Sequence, residues 1–179
     1  MPAADRQRLF FALWPPEEVA SALHRVAHQI QASHGGRAMQ RDTLHLTLAF
    51  LGDVPLASIP GLTAAASSLD PGPAFTLTLD ELGYWRHNQI VWAGVRHPPA
   101  ALTRLAGDLH ERLRGGGFPL ESRPFRPHLT LLRRVLAPVE LPGLLALAWP
   151  VDAFVLMASE LSHQGARYRV IGRWRLRES

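Results

Sequence analysis

The alternation of apolar and polar positions divides the chain into a short series of strands and helices. Leu9 to Trp14, led by Arg8, is a continuous apolar run and reads as a first buried strand. Pro15-Pro16-Glu17-Glu18 then has the proline and acidic first turn of a helix start. Val19, Leu23, Val26, Ala27 and Ile30 continue at the helical period until His34-Gly35-Gly36. Leu44 to Leu51 reads as a strand closed by Gly52-Asp53, and a weaker helix is expected between Ala57 and Leu69, its start blurred by Pro60-Gly61. Phe75 to Asp80 alternates as a half-buried strand should, and Gln89 to Val95 is expected to be its hairpin partner. Pro98 opens a third helix lined by Leu102, Leu105, Leu109 and Leu113 and stopped by Gly115-Gly116-Gly117. A strand begins near His128, and Val151 to Leu161 with Ala166 to Leu176 form a closing pair. Crossovers mixed with antiparallel pairs predict an α+β fold. At 179 residues the chain is expected to be one compact unit, 1–179.

Within that series one short string occurs twice: His45-Leu46-Thr47-Leu48 and His128-Leu129-Thr130-Leu131, 83 positions apart, each at the start of an expected strand. Side chains at i and i+2 of a strand share a face, so each copy aims its histidine and threonine in one direction and its leucines in the other. Two such strands can face one another across a groove. The bland explanation is two half-buried strands with incidental polar faces; a repeated string of this kind makes it the weaker one.

Those residue types suit the opening of a strained cyclic phosphodiester. One imidazole can activate water and another can protonate the departing sugar oxygen. Threonine hydroxyls can donate to the non-bridging oxygens, and an arginine can add charge stabilisation. Threonine is a poor zinc ligand and no further His, Cys or carboxylate keeps ligand spacing with either copy, so neither metal nor cofactor is expected.

Composition narrows the alternatives. The chain has no cysteine, which removes disulfides, thiolate metal sites and cysteine nucleophiles. All 19 basic residues are arginine, so mechanisms that need an amine nucleophile or a phosphate-loop lysine are excluded. The net charge of +4, carried by guanidinium groups, favours a phosphate-bearing partner. No apolar stretch approaches the roughly 20 residues that cross a bilayer, and the first apolar run is cut by Pro15-Pro16 before it could act as a signal-peptide core. A cytoplasmic protein without membrane attachment is expected.

Beyond the repeated string, the chain resembles the two-histidine phosphoesterases, and within them the bacterial RNA 2′,3′-cyclic phosphodiesterases, historically called 2′-5′ RNA ligases. The resemblance rests on Arg8-Leu9-Phe10-Phe11-Ala12, Leu44 to Gly52 around the first copy, Phe75 to Leu79, Arg123 to Arg133 around the second, Ala166-Arg167-Tyr168 and Arg173-Trp174. It implies two pseudo-symmetric lobes, each a small antiparallel sheet with helices, around a central cleft. It further implies that His45 is the proton donor, that His128 activates water, and that Thr47 and Thr130 hold the phosphate. Arg133 and Phe11 match family positions that approach the ligand, and Arg126 is a candidate for RNA contact. The implied substrate is an RNA carrying a 2′,3′-cyclic phosphate, hydrolysed to a 2′-phosphomonoester by a chain expected to be a monomer, with weak ATP-independent 2′-5′ joining by reversal. Ala38-Met39-Gln40-Arg41-Asp42 departs from the tryptophan- or proline-containing segment often found before the first motif. The alternatives are a phosphodiesterase acting on a small cyclic nucleotide or nucleotide-derived metabolite, and a non-catalytic RNA-binding module.

Other features have plainer explanations. His24 and His28 lie four apart on one helix face with no third ligand, which fits solvent-facing histidines. Arg167, Arg169, Arg173, Arg175 and Arg177 are expected along one side of the last strand, with Tyr168, Val170, Trp174 and Leu176 on the other. Trp85 and Trp92 are expected to pack in the core or hairpin, and Gly115-Gly116-Gly117 follows a helix, so it does not read as a phosphate cradle.

Overall fold

The computed structural model describes residues 5–136 and 140–178. Strand β1 (Arg6–Leu13) leads into helix α1 (Glu17–His34), whose Val19, Leu23, Ala27 and Ile30 are buried and which ends at Gly35, a left-handed residue at φ 70°. A two-residue strand β2 (Arg37–Ala38) and a 3₁₀ turn precede β3 (Leu46–Pro55). The weak second helix, α2 (Ile59–Ser67), starts after a 3₁₀ turn over Leu56–Ser58. Strands β4 (Phe75–Leu79), β5 (Glu81–Trp85) and β6 (Ile90–Gly94) come next, then α3 (Ala100–Gly115). Strands β7 (His128–Arg133), β8 (Leu147–Val151), β9 (Ala153–Ser162) and β10 (Gly165–Arg175) complete the described chain. No helix among the described residues is long and apolar enough to cross a membrane.

Seven strands form an antiparallel sheet in the order β10-β9-β1-β3-β7-β6-β5, with β2 beside the far end of β7. Its halves, β10-β9-β1-β3 and β7-β6-β5, meet at one residue pair, Leu46 opposite Leu129. These halves are the two lobes. Helix α1 follows a strand of the first half yet packs against β7 of the second, while α3 precedes β7 yet packs against β3. The exchange interlocks the lobes beneath one face of the sheet, where a continuous apolar core runs from Leu9, Phe11 and Leu13 through Leu102, Leu105 and Leu109 to Phe154 and Leu156. The other face carries the cleft.

The expected pairing of Phe75–Asp80 with Gln89–Val95 is not the one formed. Strand β4 pairs with β8, Phe75 opposite Val151 and Leu79 opposite Leu147, as a separate two-stranded ribbon. Strand β6 pairs instead with β5, Tyr84 opposite Val91, and with β7. The cause lies in β5, Glu-Leu-Gly-Tyr-Trp, whose five positions are all half-buried and so show no alternation. Likewise Val151 to Leu161 is not one strand: the chain breaks at Asp152, whose carbonyl accepts from the Leu176 N–H at 2.8 Å.

The arginine stripe is also divided. A register shift between Val170 and Gly172 reverses the alternation of β10. Tyr168 therefore packs on the cleft face with Phe10 and Trp14, whereas Trp174 stacks on Phe154 at 5.3 Å on the core face. Arg173 and Arg175, opposite Val155 and Ala153, stand on the cleft face; Arg167 and Arg169, opposite Glu160 and Ala158, stand on the other.

Candidate active site

Both copies of the repeated string lie where the halves meet. Leu46 and Leu129 point into the core and face each other, so the same register continued by one residue sets His45 opposite Thr130 and Thr47 opposite His128. All four polar side chains stand half-buried on the cleft face. A pseudo-two-fold relation follows from the pairing alone.

Each histidine is held alike. The Nδ1–H of His45 donates to the Thr43 carbonyl at 2.7 Å, and that of His128 donates to the Arg126 carbonyl at 2.8 Å. A carbonyl can only accept, so Nδ1 keeps its proton and Nε2 is the nitrogen that titrates. Burial is the largest cause lowering both pKa values below the ordinary 6.5. The hydrogen bonds to the two carbonyls act in the opposite direction. Arg133 and His128 depress His45 further, and Arg126 and Arg133 depress His128 further. The positive groups gathered around the two imidazoles make an anion-seeking cleft.

The position of Arg133 depends on an irregularity that alternation alone would miss. Strict period two places it on the face opposite His128. Strand β7 pairs Thr130 with Trp92 and then Leu132 with Val91, which leaves Leu131 as an extra residue. Leu131 and Leu132 both enter the core, and Arg133 returns to the cleft face. Strand β3 has the same device: Thr47 pairs with Ala12 and Ala49 with Phe11, leaving Leu48 extra, so that Phe50 returns to the outside under the Arg8 guanidinium at 4.8 Å. The carbonyls of both extra residues are hydrogen-bonded. Leu48 accepts from His110 Nε2–H at 2.7 Å, and Leu131 accepts from the Met39 N–H at 2.9 Å.

Phe11, expected to approach the ligand, does not face the cleft. It is fully buried on the core face among Phe154 and Trp174. Its neighbour Phe10 occupies the cleft face, its ring 4.8 Å from that of His45. Arg8 marks the open side of β1, and counting by two from it reaches Phe10, Ala12 and Trp14. That signal was present in the sequence, but the run Leu9 to Leu13 is apolar on both faces and hides it. Trp14 and Tyr168 complete an aromatic wall around His45, at 5.2 and 5.4 Å. Beside this wall opens a cavity of about 620 Å³ lined by Trp14, Thr43, Met157, Tyr168 and Arg173 among others. Neither histidine lines that cavity; both lie in the shallower cleft next to it, with Trp14, Thr43 and Tyr168 bordering the two.

Arg126 is exposed beside His128, its guanidinium 5.7 Å from the Trp85 ring and 5.2 Å from that of Trp92. His24 and His28 approach to 3.1 Å on α1, away from this cluster. Among the described residues no group of three or more His, Cys, Asp or Glu could hold a metal ion.

Residues 15–162 match the model of the 2′-5′ RNA ligase superfamily. The chain is 37% identical over 174 residues to an RNA 2′,3′-cyclic phosphodiesterase of Escherichia coli, covering 97% of this chain and 98% of that protein. It is 36% identical over 180 residues to the protein of the same name from Thermus thermophilus, covering 95% and 90%. Among solved structures, E. coli LigT complexed with 3′-AMP superposes with a TM-score of 0.85 at 38% identity, over 96% of this chain and 98% of that one.

Proposed function

Because the chain belongs to the 2′-5′ RNA ligase superfamily, we propose that it opens the 2′,3′-cyclic phosphate at an RNA end to a 2′-phosphomonoester, without metal or cofactor. The observation that carries this reading is the matched pair of histidines, each with Nδ1 tied to a carbonyl and Nε2 free for proton transfer across the same groove. A single phosphorus atom between them has a base on one side and an acid on the other.

The cyclic phosphate enters with its non-bridging oxygens toward the Thr47 and Thr130 hydroxyls and Arg133. His128, neutral at Nε2, takes a proton from water as the water oxygen bonds to phosphorus. His45, protonated at Nε2, gives its proton to the departing 3′ oxygen as the ring opens, leaving the phosphate on the 2′ oxygen. The protons exchange with solvent to reset the pair. The carbonyl bonds at Nδ1 fix the tautomer and aim of each ring, which lowers the reorganisation needed at each transfer. Phe10, in place of Phe11, then packs beside His45 on the side of the nucleoside, and Arg126 supplies charge beside His128.

One histidine comes from each half of one chain, which favours a monomer as the working unit. The lack of cysteine and the RNA substrate both suit a reducing cytoplasm. The test is incubation with an RNA bearing a 2′,3′-cyclic phosphate, with and without EDTA, and identification of the terminal phosphate. A 2′-phosphate formed equally in both is expected; no opening of the ring, or opening abolished by EDTA, overturns the reading.

A further inference from the structure

Water is the smallest attacking group, and its activation by His128 requires one free imidazole nitrogen and little space. The side of the cleft next to His128 is nevertheless built as an aromatic and cationic ledge. Trp85 stands 4.6 Å from the His128 ring, edge to face, and 5.3 Å from Trp92. Trp92 is buried and lies flat along the sheet, opposite Thr130 in register. The room for it is made by glycines: a Cβ at Gly83 would meet the indole at 2.0 Å and one at Gly94 at 2.7 Å. Arg126 lies over both indoles and makes no ion pair among the described residues, while Arg123 nearby is paired with Glu121. The half-buried Trp85 ring and the exposed Arg126 plane are thus held ready beside the proton acceptor by buried support.

The pseudo-two-fold gives the ledge its meaning. His45 has an aromatic wall of Phe10, Trp14 and Tyr168, placed for the nucleoside that bears the cyclic phosphate. His128 has the corresponding wall on the side of the attacking group. A flat base can stack on an indole or a guanidinium plane without regard to its sequence.

We propose that Trp85 and Arg126, supported by Trp92, form a binding site for a second nucleoside, the one whose 5′-hydroxyl replaces water at His128. This rests on the reading of the catalytic pair given above. In joining, the 5′ oxygen bonds to phosphorus, its proton passes to His128 Nε2, the bond from phosphorus to the 3′ oxygen breaks, and His45 protonates that oxygen. The product is a 2′-5′ diester. In the reverse direction the 3′-hydroxyl attacks, His45 takes its proton, and protonated His128 releases the 5′-hydroxyl nucleoside from the ledge.

The experiment compares two substrates of the full chain: adenosine 2′,3′-cyclic phosphate, which carries one nucleoside, and 2′-5′-linked ApA, which carries two. The quantity read is the ratio of kcat/KM for the dinucleotide to that for the cyclic mononucleotide, which cancels losses of folding or of proton transfer common to both. W85A is expected to lower this ratio about 10-fold, the scale of losing one base stack, and W85F to restore most of it. F10A is expected to depress both substrates together and leave the ratio unchanged. A ratio unaltered by W85A, or no cleavage of ApA by a wild-type enzyme that opens the cyclic phosphate, overturns the second-nucleoside site. A wild-type enzyme inactive on the cyclic phosphate itself overturns the underlying function instead.

Discussion

Leu46 stands opposite Leu129 at the single pair joining the two halves of the sheet, and both side chains are fully buried. This contact sets the spacing of the two imidazoles, because His45 and His128 are the residues immediately before each leucine. A mutation that disturbs it moves one histidine relative to the other.

Replacing either His45 or His128 with alanine is expected to lower turnover by roughly 10²-fold to 10⁴-fold, since the proposed reaction gives each one proton-transfer role. The double variant should fall short of the product of the two losses, as residues acting in one step are not additive. Circular dichroism and thermal melting should show a retained fold, because both rings lie on the cleft face. Steady-state kinetics on a 2′,3′-cyclic phosphate checks this; near-wild-type turnover by either single variant contradicts the paired roles.

The pH dependence has a defined sign. Both histidine pKa values are lowered, chiefly by burial, so the free enzyme favours two neutral imidazoles. The acid must be protonated, and the optimum of kcat/KM should therefore lie below the ordinary 6.5. A bound anion between the rings offsets their burial and the Arg133 charge, so the optimum of kcat should lie at higher pH than that of kcat/KM. For stability, groups with depressed pKa contribute fully above 6.5 and lose that contribution as pH falls through their folded-state values. Inorganic phosphate should counter that loss. Rate profiles and melting curves from pH 4.5 to 8 (about that span) measure both; a kcat/KM optimum above neutrality contradicts the assignment.

Adjacent phenylalanines should separate stability from activity. Phe11→Ala empties a fully buried site among Phe154 and Trp174 and should cost about 3–5 kcal/mol. Phe10→Ala removes a ring beside His45 and should affect KM or kcat with a smaller change in melting temperature. Denaturant unfolding and kinetics on both variants decide it, and equal stability losses with unchanged kinetics for Phe10→Ala contradict its place at the cleft.

Joining of RNA ends must proceed without ATP, because the chain has no lysine to carry an adenylate. It should be weak beside hydrolysis, since water is far more abundant than RNA ends and the diester lacks the ring strain that drives opening. Stimulation by ATP, or joining that survives His128→Ala, would show a separate mechanism.

Much of this protein was determined by local pattern. The α+β class, three helices and the repeated string were legible because burial on one face imposes a period of two or 3.6, and the Pro, Gly and acidic positions punctuate it. His45, Thr47, His128 and Thr130 were identifiable as a group since residues at i and i+2 of a strand share a face whatever the remaining fold does. Tertiary structure decided the rest. The partner of Phe75–Leu79 is Leu147–Val151, far along the chain, because strand pairing depends on what competes for each edge and not on proximity in sequence. Which phenylalanine faces the cleft was hidden by a strand apolar on both sides. The bulges at Leu48 and Leu131 moved Phe50 and Arg133 across the sheet, and the shift after Val170 split the arginine stripe. An extra residue leaves no mark in the alternation of a buried run; only the partner strand, by failing to match it, reveals where it lies.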